Sequence, residues 1–229
     1  MAVTRDDVIH TAILLLQEVG LDGLTLRRLA TELGISAPTL YWHVRDKREL
    51  LDLMADTMMI DHRAKQPPFP VGLEWWQVIA EGVSRQFDAI IAYRDGARVV
   101  AGNRPTPGAL PMIERYLKVW IDAGFSPDEA IATLLSFGDF VVGSALEYQA
   151  ENERQRLQTD TDRADLWKAM EAYPILRAAS AARALLPTRD SFEHGLGLLI
   201  AGLRHRQAEL VAEKQRAAEQ PRPQPSDRN

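Results

Sequence analysis

The sequence has 229 residues, 46% of them hydrophobic and 26% charged, with a formal net charge of −5. A chain of this length can bury one large or two smaller cores, and the absence of Cys excludes disulfides, thiol nucleophiles and thiolate metal sites. The net negative charge excludes a protein that coats nucleic acid over its whole surface. The sequence shows neither a signal-peptide pattern nor an uncharged apolar stretch of about 18 residues, which predicts a cytoplasmic protein without a membrane partner.

A first helix is predicted over residues 4–19. Thr4 is a typical N-cap residue, and Asp6 and Asp7 place negative charge where the backbone N–H groups of a helix are unpaired. Gly20 ends the pattern. The apolar residues recur at helical spacing and can cover the helices that follow; they are Val8, Ala12, Ile13, Leu15, Leu16 and Val19.

Two short helices joined by a tight turn are predicted within residues 24–48. Thr25 can cap the first of them, and Gly34 follows it where a left-handed backbone conformation is wanted. Ser36 can cap the second, and Pro38 lies in its first turn, where the missing N–H costs nothing. A helix, a glycine turn and a second capped helix form the helix-turn-helix signature.

The second helix of this unit is predicted to present polar and aromatic groups to solvent. Leu40 and Val44 are four residues apart and face inward, which leaves Thr39, Tyr41 and His43 pointing outward, where such groups donate to phosphates and touch base edges. Five cations and two anions give residues 24–48 a net charge of +3 within an acidic chain. A localised DNA-binding surface is therefore predicted. The alternative is a solvated helical hairpin inside an all-α enzyme.

Beyond this unit the pattern remains helical. A fourth helix is predicted over residues 46–62, and the three prolines of residues 67–70 end it. We therefore predict a DNA-binding domain at 1–62, an effector-binding and dimerisation domain at 63–216 and a disordered tail at 217–229. Further helices are predicted over 75–93, 107–123, 126–152, 165–184 with an interruption at Pro174, and 189–216, with a short turn at 97–101 and a loop at 153–163.

The long helix after residue 126 and the last helix both have small residues in their interiors. A glycine inside a helix costs about 1 kcal/mol relative to alanine, and such a cost indicates close helix packing. We favour a two-fold dimer over close packing within one subunit, because one helix-turn-helix reads only a few base pairs. The small residues are Gly138, Gly143, Ser144 and Ala145 in the long helix, and Gly195, Gly197, Ala201 and Gly202 in the last.

Residues 7–62 resemble the N-terminal domain of the TetR family of bacterial repressors, chiefly through 24–34 and 38–44. The Tyr-Trp-His triplet and the run 93–99 resemble the tetracycline-repressor class, and a weaker match extends to about residue 212. The resemblance implies an all-α fold, with a three-helix helix-turn-helix domain and a larger helical domain that binds ligand. It also implies a dimer joined through the long and last helices. The motif match and the outward placement together predict operator contacts at Thr25, Leu26, Arg27, Ala37, Pro38, Thr39, Tyr41, His43 and Lys47.

The metal site of that class is not expected here. The resemblance implies a drug that chelates magnesium, with the ion held by a histidine after the 93–97 run and a carboxylate on the long helix acting through water. Val100 stands at the histidine position and cannot bind a metal, although Glu147 matches the carboxylate. One carboxylate is too few ligands for a hard cation. We therefore expect no metal and no cofactor.

Other positions that contact the drug in that class also differ. Asn103 stands where the class has threonine, Tyr116 replaces a glutamine, Gly82 and Val83 replace an amide, and Arg63 falls at a second contact position. Aromatic residues between 75 and 177 predict a cavity between helices. We expect a small hydrophobic or aromatic effector, with contacts at His62, Phe87, Val100, Asn103, Arg104, Pro105, Ile113, Tyr116, Phe137 and Glu147.

The sequence contains no recognisable catalytic constellation. Its five histidines fit no short-range metal spacing, and the pair Gly195 and Gly197 lies inside a predicted helix rather than in a phosphate loop. The leading hypothesis is a repressor that binds a palindromic operator as a dimer and is released by an effector. The alternatives are a constitutive DNA-binding protein with a filled core, and an all-α enzyme or carrier.

Overall fold

The computed structural model describes residues 2–157, 168–181 and 187–219. Within these ranges the regular secondary structure is entirely helical, as the sequence predicts. The helices are α1 (Arg5–Gly23), α2 (Leu26–Glu32), α3 (Ala37–Leu40), α4 (Lys47–Ala64), α5 (Trp75–Ile91), α6 (Gly96–Val100), α7 (Leu110–Asp122), α8 (Pro127–Leu157), α9 (Pro174–Ala181) and α10 (Arg189–Glu219).

The helices of the N-terminal unit begin at the residues that the sequence predicts. Thr4 and Asp7 form a reciprocal capping box at the start of α1. Gly20 has φ 70° and breaks the helical backbone, so the chain makes one more turn before α2. The side-chain oxygens of Thr25 and Ser36 accept from the backbone three residues on and cap α2 and α3.

Several predicted boundaries are wrong. The segment predicted as a turn at 97–101 is mostly the short helix α6. Helix α8 continues to Leu157, so residues 153–157 of the predicted loop are helical, and α10 continues to Glu219, three residues into the predicted tail. The predicted interruption of a helix at Pro174 is present, since residues 171–173 just before it are not helical. The remainder of the predicted loop, residues 165–167 and 182–184 of the predicted helix, and tail residues 220–229 lie outside the described residues.

Helix α4 contacts both hydrophobic cores. It packs against α1 on one side and against α5 and α6 on another. Leu50, Met54 and Met58 are fully buried in the N-terminal core, and Met59 lies against both cores. Helix α4 therefore connects the two cores.

The second core is centred on aromatic contacts between α5, α8 and α10. Phe87 of α5 stacks on Phe192 of α10 with ring centroids 4.0 Å apart, and Phe140 of α8 also stacks on Phe192, with centroids 5.4 Å apart. Trp120 of α7 lies beside Phe137 of α8. Such ring pairs add to the apolar burial that holds these helices together.

Helices α8 and α10 each have apolar residues that the described part of the chain leaves uncovered. Ile131 and Leu198 are exposed, and a Cβ on Gly143 or Gly202 would meet no described atom within 4 Å. By length and composition alone, α8 also qualifies as a membrane span, with a mean hydropathy of 1.4 and only 22% of its most apolar window buried. Core helices of water-soluble proteins meet the same criterion. Length and composition therefore do not distinguish a membrane span from a helix that another protein surface covers.

Candidate DNA-binding surface and effector cavity

The recognition helix α3 and the turn that follows it, residues 41–44, are anchored by two buried side chains. Leu40 and Val44 are each only 1% exposed, as their spacing predicts. Thr39 and Tyr41 are exposed, and His43 is half-buried. The indole of Trp42, which was not among the predicted contacts, is 88% exposed on the same turn. The helix therefore presents hydroxyl, phenol and ring groups to solvent from a rigid base.

The cations around α3 differ in how they are held. Arg27 and Arg28 on α2 are exposed and form no ion pair among the described residues. Arg45 donates from Nε to the Glu49 carboxylate at 3.0 Å, and Nζ of Lys47 donates to the carbonyl of Leu21 at 3.2 Å. Arg27 and Arg28 are thus the cations most free to reach a DNA molecule.

The other predicted DNA contacts lie around the same surface. Thr25, Ala37 and Pro38 are exposed, whereas Leu26 is half-buried against the N-terminal core. Thr25 uses its hydroxyl oxygen to cap α2, since it accepts from the backbone N–H of Arg28 at 3.1 Å. Its O–H remains available as a donor.

A cavity of about 560 Å³ lies between α4, α5, α7 and α8 and the segment after α6. Its wall is mainly apolar. Two of the ten predicted effector contacts are absent from it: Phe87 is fully buried against Phe192, and Glu147 is exposed on α8. The structure brings the other eight into the wall: His62, Val100, Asn103, Arg104, Pro105, Ile113, Tyr116 and Phe137.

Gly82 and Tyr116 pack directly against each other in the wall of this cavity. A Cβ built on Gly82 would lie 2.7 Å from Cε1 of Tyr116, so the phenol ring occupies the space that a side chain at residue 82 would need. Burial raises the pKa of the Tyr116 hydroxyl above its usual value, and the nearby positive charge of Arg63 opposes that rise. Tyr116 is therefore a neutral hydrogen-bond donor at physiological pH.

The charged residues of the cavity wall are mostly engaged with protein groups. Arg85 donates to the Glu81 carboxylate at 2.7 Å and lies over the ring of Phe69. Asp56 accepts from the backbone N–H of Thr106 at 3.2 Å. Three or more His, Cys, Asp or Glu side chains do not converge on a common point anywhere in the described ranges.

The segment after α6 is hydrogen-bonded to α4. Asn103 accepts at Oδ1 from Arg48 and donates from Nδ2 to the carbonyl of Leu51, at 2.6 and 3.1 Å. Arg48 also donates to the carbonyl of Gly102. The backbone N–H of Arg104 donates to Asp52 at 3.3 Å. This segment forms one wall of the cavity, so the cavity is joined directly to the helix that follows α3.

A second set of contacts ties α6 to α1 and α8. Asp95, whose φ of 54° places it in the left-handed region, accepts at Oδ2 from the backbone N–H of Leu21 at 2.8 Å. Gln149 of α8 accepts from the N–H of Ala97 and donates to the carbonyl of Tyr93. The 93–97 run therefore has an identifiable structural role, since it joins the long helix to the end of α1.

Arg48, Asp56 and Gln149 were not predicted from the sequence. Each acts on a partner about 50 residues away in the chain, so no local spacing indicates its role. Arg63 was placed only by resemblance, and the structure puts it in the cavity wall.

A helix-turn-helix surface joined through one helix to an apolar cavity defines a class of DNA-binding proteins that respond to small molecules. Two family models agree with this class. Residues 8–54 match the model described as bacterial regulatory proteins, tetR family, and residues 70–207 match the tetracyclin repressor-like C-terminal domain. The chain belongs to the TetR family; it is a transcriptional regulator and not an enzyme.

Individual relatives match this chain over most of their own length. The tetracycline repressor protein class A from transposon 1721 of Escherichia coli is 38% identical over 203 residues, which cover 87% of this chain and 89% of the relative. A single-site variant of TetR from Acinetobacter baumannii AYE, solved with minocycline, is 33% identical with a TM-score of 0.67, covering 90% and 99%. ActR from Streptomyces coelicolor, solved with (S)-DNPA, is 27% identical with a TM-score of 0.72, covering 89% and 98%.

Proposed function

We propose that this protein is a repressor that binds a palindromic operator as a dimer and releases it when a small hydrophobic or aromatic effector enters the cavity. The observation that carries the proposal is the hydrogen bonding of residues 102–106 to α4. One segment thereby forms part of the cavity wall and also holds the helix that follows the recognition helix. A cavity of about 560 Å³ favours this function over a constitutive DNA-binding protein with a filled core.

Operator contact is proposed for the exposed surface around α3. Arg27 is the best candidate for reading a guanine, because its guanidinium is free and can bond two acceptors at once. Thr39, Tyr41 and His43 suit phosphate contact, and their placement on an exposed helix with a buried anchor supports that role. The remaining proposed contacts on this surface are Thr25, Leu26, Ala37, Pro38 and Lys47.

Dimerisation is proposed through α8 and α10. Both helices have exposed aliphatic residues, and the glycines at 143, 197 and 202 leave room for the backbone of another helix to approach. Gly138, which the sequence also suggested, lies in the cavity wall. Gly195 is different, because a Cβ there would lie 2.9 Å from the ring of Phe140 in the same chain. A second copy would cover the apolar face of α8, which favours a dimer interface over a membrane span.

The effector is proposed to act through residues 96–106. Gly102, with φ 70°, is the first of the residues that bond α4, in a left-handed conformation that glycine adopts without steric cost. A ligand that displaces this segment would shift α4 and move the two recognition helices of a dimer away from the spacing of about 34–36 Å between successive major grooves. The effector must favour the released state by about 1–3 kcal/mol or more.

The domain boundary and the site of action are also proposals. The boundary between a DNA-binding domain and an effector-binding domain is placed near residue 62, although α4 itself runs through to Ala64. The site of action is proposed to be the cytoplasm, where a bacterial regulator meets its operator.

The relatives named above support tetracycline-like compounds as the first molecules to try, while Val100 favours binding without magnesium.

The test is a gel shift with the DNA upstream of the gene that encodes this chain. Binding of that DNA, followed by release with one or more planar aromatic compounds, is the expected result. The screen is run with magnesium and then with a chelator. Failure to bind the upstream DNA would contradict the operator role, and release by tetracycline only when magnesium is present would contradict the assignment of Val100.

A further inference from the structure

Arg63 is a cation in the cavity wall that has no anionic partner among the described residues. Its Nη1 donates to the thioether sulfur of Met112 at 2.8 Å. A thioether is a weak acceptor that cannot neutralise a guanidinium. Across residues 2–157, 168–181 and 187–219, no carboxylate lies within ion-pair distance of this group.

The other charged side chains of the cavity wall are either paired with protein groups or exposed to solvent. Arg85 is paired with Glu81, and the Asp56 carboxylate accepts a backbone N–H. Asp139 and Arg104 are exposed to solvent, which satisfies them. Arg63 is half-buried and lies against apolar atoms, so an anion that reached it would be attracted more strongly than at the surface.

Tyr116 provides a second polar group on the same side of the cavity. It lies one helical turn after Met112, so both side chains share a face of α7. Its hydroxyl has no hydrogen-bond partner among the described residues, and its side chain packs over Gly82. Because burial raises the pKa of this hydroxyl, it stays protonated and suits an acceptor oxygen.

We propose that the effector is an aromatic acid whose anionic group pairs with Arg63 and accepts a hydrogen bond from Tyr116, while its rings lie against the apolar wall. This inference rests on the proposed function, since it names the chemical class of the effector. A planar guanidinium bonds a carboxylate through two parallel N–H groups and so fixes the orientation of the ligand. The rings then reach Phe137 and Ile113, which lie in the same wall.

The experiment compares two fluorescent ligands of the same shape, anthracene-2-carboxylate and anthracene-2-carboxamide, on the full-length protein. We expect the carboxylate to bind at least about tenfold more tightly than the carboxamide. Arg63→Gln should abolish that preference, and Arg63→Lys should restore part of it. Arg115→Gln is the matched control, because Arg115 is exposed on α7 near Tyr116 but is absent from the cavity wall.

Equal binding of the two ligands, binding of the carboxamide alone, or no binding of either would overturn the proposed class. So would a carboxylate preference that survives Arg63→Gln or disappears equally in Arg115→Gln. Thermal unfolding of each variant verifies folding, and Arg63→Lys keeps the test valid if Arg63→Gln unfolds. The proposed function is judged separately, because binding of the upstream DNA by the protein without any ligand does not depend on the charge of the effector.

Discussion

Arg48 and Asn103 join the helix that follows the recognition helix to the wall of the effector cavity. Nη2 of Arg48 donates to Oδ1 of Asn103 at 2.6 Å, and Asn103 donates in turn to the carbonyl of Leu51. The same arginine contacts the Asp52 carboxylate at 3.4 Å. Asn103 therefore faces α4 with both ends of its amide, and these bonds hold this part of the cavity wall against α4.

Asn103→Ala should destabilise the protein by about 1–2 kcal/mol, because two hydrogen bonds are lost. Urea unfolding of Arg48→Ala, Asn103→Ala and the double variant measures the coupling between the two side chains. We expect the double variant to cost less than the sum of the single changes, by about 0.5–1.5 kcal/mol. Strict additivity would show that the contact between Arg48 and Asn103 contributes nothing to stability.

Arg27→Ala should weaken operator binding and relax discrimination at one base pair by about 1–3 kcal/mol. The free guanidinium of Arg27 is the physical reason. Arg45→Ala is the control, since it also removes an exposed positive charge but one already paired with Glu49. Gel shifts against a set of single-base operator variants measure both effects. Equal loss of affinity for every sequence in Arg27→Ala would assign Arg27 to phosphate contact instead.

Much of the N-terminal unit was predictable because its determinants are local. Thr25, Gly34 and Ser36 act within three or four residues of their own positions, and Leu40 and Val44 face inward as their spacing requires. The end of α8 was not predictable in this way. Its polar residues suggested a loop, but contacts within the helix, such as that of Gln155 with Glu151, continue it to Leu157.

The cavity was predictable only in part. The family resemblance pointed to Val100 and Tyr116, and both lie in the cavity wall. Phe87 was expected there as an aromatic residue of a predicted helix, but it stacks on Phe192 of α10 instead, and that stack depends on how two distant helices pack. Glu147 lies on the exposed side of α8, and helical periodicity alone does not decide which side of a long apolar helix faces the cavity.

Leu198→Glu should convert a dimer into a monomer. Leu198 is 64% exposed on α10 beside glycines that leave room for another helix, and a charge in such an interface loses its hydration without gaining a partner. Sedimentation should give about twice 25.7 kDa for the parent protein and about 25.7 kDa for the variant. Leu14→Glu, at an exposed leucine of α1, should remain dimeric. A monomeric parent would exclude the interface.

Tyr116 should ionise at higher pH than an exposed tyrosine, because burial raises the pKa of its hydroxyl above 10.0. The raised pKa favours the folded state while the hydroxyl is protonated. Its stabilising contribution is therefore complete below about pH 10 and is lost as the pH rises through the raised pKa. The ultraviolet titration of phenolate in the parent, minus that in Tyr116→Phe, isolates this group. A difference midpoint at or below pH 10 would contradict the assignment.

Gly82→Ala should destabilise the parent protein although alanine is the better helix former. The added Cβ would lie 2.7 Å from the ring of Tyr116, and overpacking of this kind costs about 1–3 kcal/mol, more than the gain of about 1 kcal/mol from helix propensity. In a Tyr116→Ala background the obstacle is absent, so the same substitution should be neutral or stabilising by up to about 1 kcal/mol. Urea unfolding of the four proteins measures the change of sign. If Gly82→Ala has the same effect in both backgrounds, the ring of Tyr116 does not occupy the space above Gly82, and Tyr116 is not positioned to donate to a ligand beside Arg63.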